Sequence, residues 1–313
     1  MSGREYVTVA EIGFAPYLLA MHESLMRLAG DFHLSVASVD RDLARLLDML
    51  QLPNVSTMDV SAPGDPGLAR AKQTRTIGEY CWTLTPFLPG MVFDARPDAQ
   101  EVTYIDADMW LRASPDPIHD EFALSGAACY ITPHAFSPEW DASQSAGFFC
   151  VQYLPIRRTG SEEILRVWQD ECLARCSSVS ADGGLGDQGY LNHWPQRYGD
   201  AVRVTGSPQW FQGPWNCERF PYSEAITYHF HGLRLRDKSR VWLGTNPIPN
   251  PTYHFVYEPY LRELRRSVDS VVNAGFSLRF VKHPMSAQGR LASTGSRVGR
   301  WGRRALPGLS QGF

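Results

Sequence analysis

Val102-Thr103-Tyr104-Ile105-Asp106-Ala107-Asp108-Met109-Trp110-Leu111 reads as a buried β-strand that ends in two acids one residue apart. Charge at the end of an apolar strand is costly unless something compensates it. Two carboxylates aimed at one point suit a divalent cation with hard oxygen ligands, and Mg²⁺ or Mn²⁺ would bridge them to a phosphate. A diphosphate held by a metal leaves readily, which points to transfer chemistry on a nucleotide-activated substrate.

Upstream of this stretch the chain alternates strands and helices. Tyr6–Ala10, Leu34–Val39 and Val55–Val60 have strand character. Pro16–Leu28 carries Leu18, Leu19, Leu25 and Leu28 on roughly one helical face, and Arg41–Leu50 is amphipathic and stops near Pro53. Residues 61–67, rich in Pro and Gly, form a loop, and helical segments fill Leu68–Leu88. This order predicts an α/β protein with a mixed, mostly parallel sheet flanked by helices. Ligands of such sheets sit at the carboxyl ends of the strands, where Asp106 and Asp108 fall.

Downstream, Gly126–Ile131, Gly147–Tyr153 and Ala225–Phe230 read as strands. Glu162–Ala174 and Tyr257–Ala274 read as helices, and Asp187–Trp194 as a short helix behind the glycine-rich loop Asp182-Gly183-Gly184-Leu185-Gly186. No repeat or linker divides the chain. Residues 1–280 are therefore taken as one domain and 281–313 as a flexible basic tail.

The 313 residues are 43% hydrophobic and 12% aromatic, enough for a sizeable core. A net charge of −3 argues against a nucleic-acid partner. The tail is the exception, with Lys282, Arg290, Arg297, Arg300, Arg303 and Arg304 and no acid. Trp301 and Leu306 among those arginines suit peripheral contact with an anionic membrane, with an unstructured solubilising tail as the alternative. The six cysteines fit no zinc spacing, and Cys172 and Cys176 read as buried thiols on a helix. No signal peptide or spanning apolar run is read, so the expected compartment is the cytoplasm, with a peripheral place at the inner membrane face as the variant.

Further constellations accompany the two acids. In Tyr228-His229-Phe230-His231-Gly232, two histidines are expected on opposite sides of a strand, one facing a metal and the other packing or capping. Arg234, Arg236 and Lys238 follow and could hold phosphate oxygens. Gly186-Asp187-Gln188-Gly189-Tyr190 places a carboxylate at a helix start, suited to a cap and to a sugar contact. Gln144-Ser145-Ala146-Gly147-Phe148-Phe149 offers a glycine where a ligand can approach the backbone, or a simple bulge. Lys72 and Arg75, upstream of Glu79-Tyr80-Cys81-Trp82-Thr83-Leu84-Thr85-Pro86, could neutralise a diphosphate or lie on a solvated helix face. The chain has no Gly-Lys-Ser/Thr phosphate loop, no dinucleotide fingerprint and no Gly-x-Ser-x-Gly, which removes the usual support for kinase, dehydrogenase and serine-hydrolase readings.

Taken in order, strand-Asp-x-Asp, Ala-Gly-Phe, Asp-Gln and His-Phe-x-Gly resemble a GT-A nucleotide-sugar glycosyltransferase, with the pattern of glycosyltransferase family 8 and its bacterial relatives. The resemblance runs from about Tyr6 to Arg240. It implies Asp106, Asp108 and His229 as ligands of Mn²⁺ (or Mg²⁺) shared with the donor diphosphate, with Ala107 between them. Thr8, Ala10 and Glu11 would contact the nucleotide base, and Asp187 and Gln188 would lie at the donor sugar. It implies a UDP-sugar donor, a carbohydrate or glycoconjugate acceptor, and retention of anomeric configuration. The family often has Asn where Ser145 or Ala146 stands, and Lys-Pro-Trp where this chain has Lys238-Ser239-Arg240-Val241-Trp242. The phosphate cation is thus left open among Arg234, Arg236 and Lys238. A nucleotide-sugar hydrolase, a nucleotidyltransferase, or a non-catalytic nucleotide-binding member stand as alternatives.

Overall fold

A computed structural model describes residues 3–178, 186–278 and 280. Most of the loop 182–186 and the tail 281–313, to which the flexible-end and membrane readings belong, lie outside the described residues. The elements run β1 (Arg4–Ala10), α1 (Ala15–Leu28), β2 (Phe32–Ser38), α2 (Arg41–Leu50), β3 (Val55–Asp59), α3 (Pro66–Thr74), α4 (Ile77–Leu84) and α5 (Leu88–Ala95). Next come β4 (Glu101–Ile105), β5 (Met109–Leu111), α6 (Asp116–Ser125), β6 (Cys129–Pro133), α7 (Ser143–Ala146), β7 (Phe149–Cys150), β8 (Tyr153–Arg157) and α8 (Glu162–Ala174). The remainder are α9 (Trp194–Tyr198), β9 (Val202–Val204), β10 (Phe211–Gln212), β11 (Thr227–His229), β12 (Arg234–Leu235), β13 (Val241–Trp242), α10 (Asn250–Thr252) and α11 (Glu258–Asn273).

The main sheet has the order β3-β2-β1-β4-β8-β6-β7, with β9 beside β6. β3, β2, β1 and β4 are mutually parallel, whereas β8 and β7 join antiparallel. Helices cover both faces. α3, α4, α5 and α8 pack on one side around Tyr80, Leu88, Val92 and Trp168. α1, α2 and α6 pack on the other around Leu18, Leu25, Leu46 and Phe122. A third core, centred on Phe230, Tyr257 and Tyr260, holds α11 against the β5–β11 pair.

Local chemistry explains most boundaries. Asp40 caps α2 by accepting from the Leu43 amide at 2.8 Å. Thr76 and Glu79 form a reciprocal capping box at the start of α4. Pro66 opens α3 at a position where its missing N–H costs nothing. The strand expected from Gly126 begins at Cys129, because Gly126, at φ +69°, ends α6 in the left-handed region. The strand expected over Gly147–Tyr153 is two short strands, β7 and β8, separated by Val151 and Gln152.

The quoted stretch itself divides. Glu101–Ile105 pairs with β1 and β8 in the main sheet, while Met109–Leu111 leaves that sheet to pair with β11. Asp106-Ala107-Asp108 is the corner between them, closed by the Met109 amide donating to the Asp106 carbonyl at 3.0 Å.

Candidate metal and donor site

The corner lies at the carboxyl edge of the parallel strands, where β1 ends at Ala10 and β2 at Ser38. The antiparallel β5–β11 register sets His229 opposite Met109, and the Phe230 amide donates to the Asp108 carbonyl at 3.0 Å. His229 is thereby placed over both acids. Its Nε2 is 3.0 Å from Asp108 Oδ1 and 3.8 Å from Asp106 Oδ2. One ligand atom from each of the three residues lies within 4.8 Å of the others, so the set can converge on one cation.

The electrostatics fit a cation site. Burial, reinforced by the charge of Asp108, raises the Asp106 carboxyl, while His229 pulls the other way. Burial also opposes ionisation of Asp108, but the charge and hydrogen bond of His229 outweigh it and hold that carboxyl well below its usual range. Burial disfavours the imidazolium of His229, and Asp108 reverses this, holding the ring well above its usual range. A proton on Nε2 would compete with a divalent ion for the same place.

A buried frame orients the three groups. Tyr104 donates to Asp106 Oδ1 at 2.7 Å. Two residues apart on a strand, Tyr104 and Asp106 share a face, a signal that was available in the sequence. Trp215 stands edge-on to His229 with ring centroids 5.4 Å apart, and its indole donates to the His134 carbonyl at 2.8 Å. Gly213 permits this, because a Cβ there would sit 2.7 Å from Trp215. Asn216 closes the same turn through the amide of Gly213 and the carbonyls of His134 and Phe211.

His231 corrects an expectation. Its ring lies 5.5 Å from that of His229, on the same side, because residues two apart on extended chain share a face. It also lies 6.0 Å from the Trp215 ring and is exposed, so it does not pack as a core side chain.

Asp187 joins this cluster from the far half of the chain. It is buried, and burial together with Asp106 raises its carboxyl to about 7. Its carbonyl accepts from the Trp168 indole at 3.0 Å. Gln188 donates to the Ala146 carbonyl at 2.6 Å, which brings the Asp-Gln pair against the Gly147 turn. Gly147 sits at φ +85°, and the next residue, Phe148, is anchored by its amide to Asn192 and remains 63% exposed.

The remaining candidates divide. Thr8 is buried on β1, and its hydroxyl has no partner among the described residues. Ala10 ends the same strand, and the Glu11 carboxylate turns back onto the Gly13 amide at 2.8 Å. The Lys72 ammonium donates to the carbonyls of Val39, at 2.9 Å, and Ser61. Arg75 donates to Thr83 and to the carbonyls of Cys172 and Leu173. The bonds of Arg75 tie the α3–α4 junction to the end of α8. Arg234 is the cation that acts on Asp108 and on His231, and it stacks 5.5 Å from the Phe14 ring. Arg236 and Lys238 lie on an exposed turn closed by Arg236 N to Arg240 O at 2.8 Å.

No protein-family model matches the chain. It is 27% identical over 252 residues to the uncharacterized protein YfnF of Bacillus subtilis strain 168, covering 74% of this chain and 82% of that protein. It is 28% identical over 276 residues to YfnD of the same strain, covering 82% and 87%. Among solved structures, the galactosyltransferase LgtC, crystallised with donor and acceptor sugar analogues, superposes with a TM-score of 0.53 at 17% identity, over 84% of this chain and 95% of that one. The fold, a central and mostly parallel sheet flanked by helices, is that of the GT-A glycosyltransferase structures.

Proposed function

We propose that this protein is a divalent-metal-dependent glycosyltransferase that moves a sugar from a nucleoside-diphosphate donor, with UDP favoured, to a carbohydrate or glycoconjugate acceptor. The observation that carries the reading is the convergence of Asp106, Asp108 and His229 at the carboxyl edge of a GT-A sheet. Oxygen and imidazole donors of this kind suit Mn²⁺ or Mg²⁺. When bound, the ion would neutralise charge building on the departing diphosphate.

The protein's own groups then have separable tasks. Thr8 and Ala10 line the strand end where the base would rest. Arg234, whose charge acts on Asp108, offers a planar guanidinium to the diphosphate. Asp187 and Gln188 face the donor sugar, where a carboxyl near pH 7 can switch between neutral and charged forms. Gly147 lets the sugar approach the backbone. Retention of configuration follows from the family resemblance.

The test is Asp108→Asn. Turnover of a nucleotide sugar with Mn²⁺ should fall by at least about 100-fold while the circular dichroism spectrum is kept. Full activity in this variant would overturn the assignment. Product analysis separates transfer from hydrolysis or sugar-phosphate formation, and a thermal-shift screen of nucleotide sugars with and without Mn²⁺ identifies the donor.

A further inference from the structure

We propose that Gln152 is the positioning residue of this metal centre: its side-chain carbonyl fixes His229 with the proton on Nδ1, leaving Nε2 free to bind a cation. The inference rests on the metal reading above and concerns a residue outside the ligand set.

Gln152 sits in the two-residue step between β7 and β8 and is fully buried. It touches two ligands at once. Its main-chain carbonyl accepts from the Asp106 amide at 3.0 Å, and its Oε1 lies 3.3 Å from His229 Nδ1. Its Nε2 lies 3.5 Å from Thr132 Oγ1. The Thr132 hydroxyl donates in turn to the Cys150 carbonyl at 3.4 Å, so its oxygen presents a lone pair to Gln152. The amide thus turns its NH₂ to Thr132 and its carbonyl to His229. A carbonyl only accepts, so His229 Nδ1 carries hydrogen. Nε2, which faces Asp108 at 3.0 Å and Asp106 at 3.8 Å, is then the ring nitrogen left for a cation. A fully buried amide is costly without partners, and here each end of the amide has one.

The experiment is calorimetric titration of Mn²⁺ into the full-length protein and its variants at one pH, with melting curves as the folding control. Gln152→Leu, which keeps the bulk but offers no acceptor, should weaken Mn²⁺ binding about 10- to 100-fold. Gln152→Glu restores an oxygen acceptor to His229 and should recover most of that loss. If Gln152→Leu does not fold, Gln152→Met against Gln152→Glu makes the same comparison. Equal Mn²⁺ affinity in wild type and the variant without an acceptor overturns the proposal, as does equal weakening by Leu and Glu, which marks a purely structural role. Failure of the metal reading has a different signature: wild type that binds no Mn²⁺, or Asp108→Asn that binds it as well as wild type does.

Discussion

Asp187 shows how a single buried carboxyl links the site to stability. Its folded-state pKa is raised to about 7, because it is buried and faces Asp106. The folded protein therefore favours the neutral acid. The stability associated with this group is complete below the usual aspartate pKa and is lost as pH rises through 7. Asp187→Asn, neutral throughout, should gain on wild type between pH 5 and pH 8 by on the order of 3 kcal/mol in denaturant unfolding. A gain independent of pH would contradict this. His229 has the opposite dependence for the metal. Its raised pKa means that a proton competes for Nε2, so Mn²⁺ affinity should fall as pH drops through that raised value. Calorimetry in buffers of different ionisation enthalpy should register proton release on binding, and zero release would remove the competition.

At the scale of elements, α8 carries much of the support for the donor side. Its Trp168 holds the Asp187 carbonyl, and its last carbonyls are satisfied by Arg75 from the loop between α3 and α4. Helix ends leave such carbonyls without intrahelical partners, and a guanidinium there pairs both charge and hydrogen bonds. Arg75→Leu should cost about 2 kcal/mol of folding stability, seen in urea unfolding. The same variant should leave UDP affinity within about twofold, since its guanidinium is engaged by Thr83 and the end of α8. A large loss of nucleotide binding without loss of stability would return Arg75 to the diphosphate. The helix over Arg41–Leu50 was legible in the sequence, because amphipathic periodicity acts between neighbours on one helix. The split of the quoted stretch into β4 and β5 was not, because the partner that draws Met109–Leu111 away is β11, distant in the chain.

For the whole molecule, the site forms where two sheets meet. The main sheet supplies Asp106, and the small β10-β11-β5 sheet supplies His229 and holds Asp108 through the Phe230 amide. A ligand that binds only this assembled junction must stabilise the fold. UDP with Mn²⁺ at 100 times Kd should add about 2.7 kcal/mol, raising the melting temperature in a dose-dependent way. UDP without a divalent ion should add less. Equal shifts with and without the ion would detach the nucleotide from the three ligands. Among the described residues, no helix is long and apolar enough to cross a membrane.

By itself the sequence determined the alternation of strands and helices, the carboxyl-edge position of Asp106 and Asp108, and His229 as the third ligand candidate. The first two rest on periodicity and strand ends, which act over a few residues, and His229 rests on the family resemblance. Only the tertiary structure decided which cation acts on Asp108, because Arg75 is engaged by Thr83 and the end of α8 while the charge of Arg234 reaches Asp108. It also decided that Gln152, a lone polar residue in an apolar run, lies behind the metal ligands, whereas the shared face of His229 and His231 follows from strand periodicity alone. The physical reason is one of distance. Hydrogen bonds and charges act over a few ångströms, and folding alone brings Gln152, Asp187 and His229 within that range of one corner of the chain.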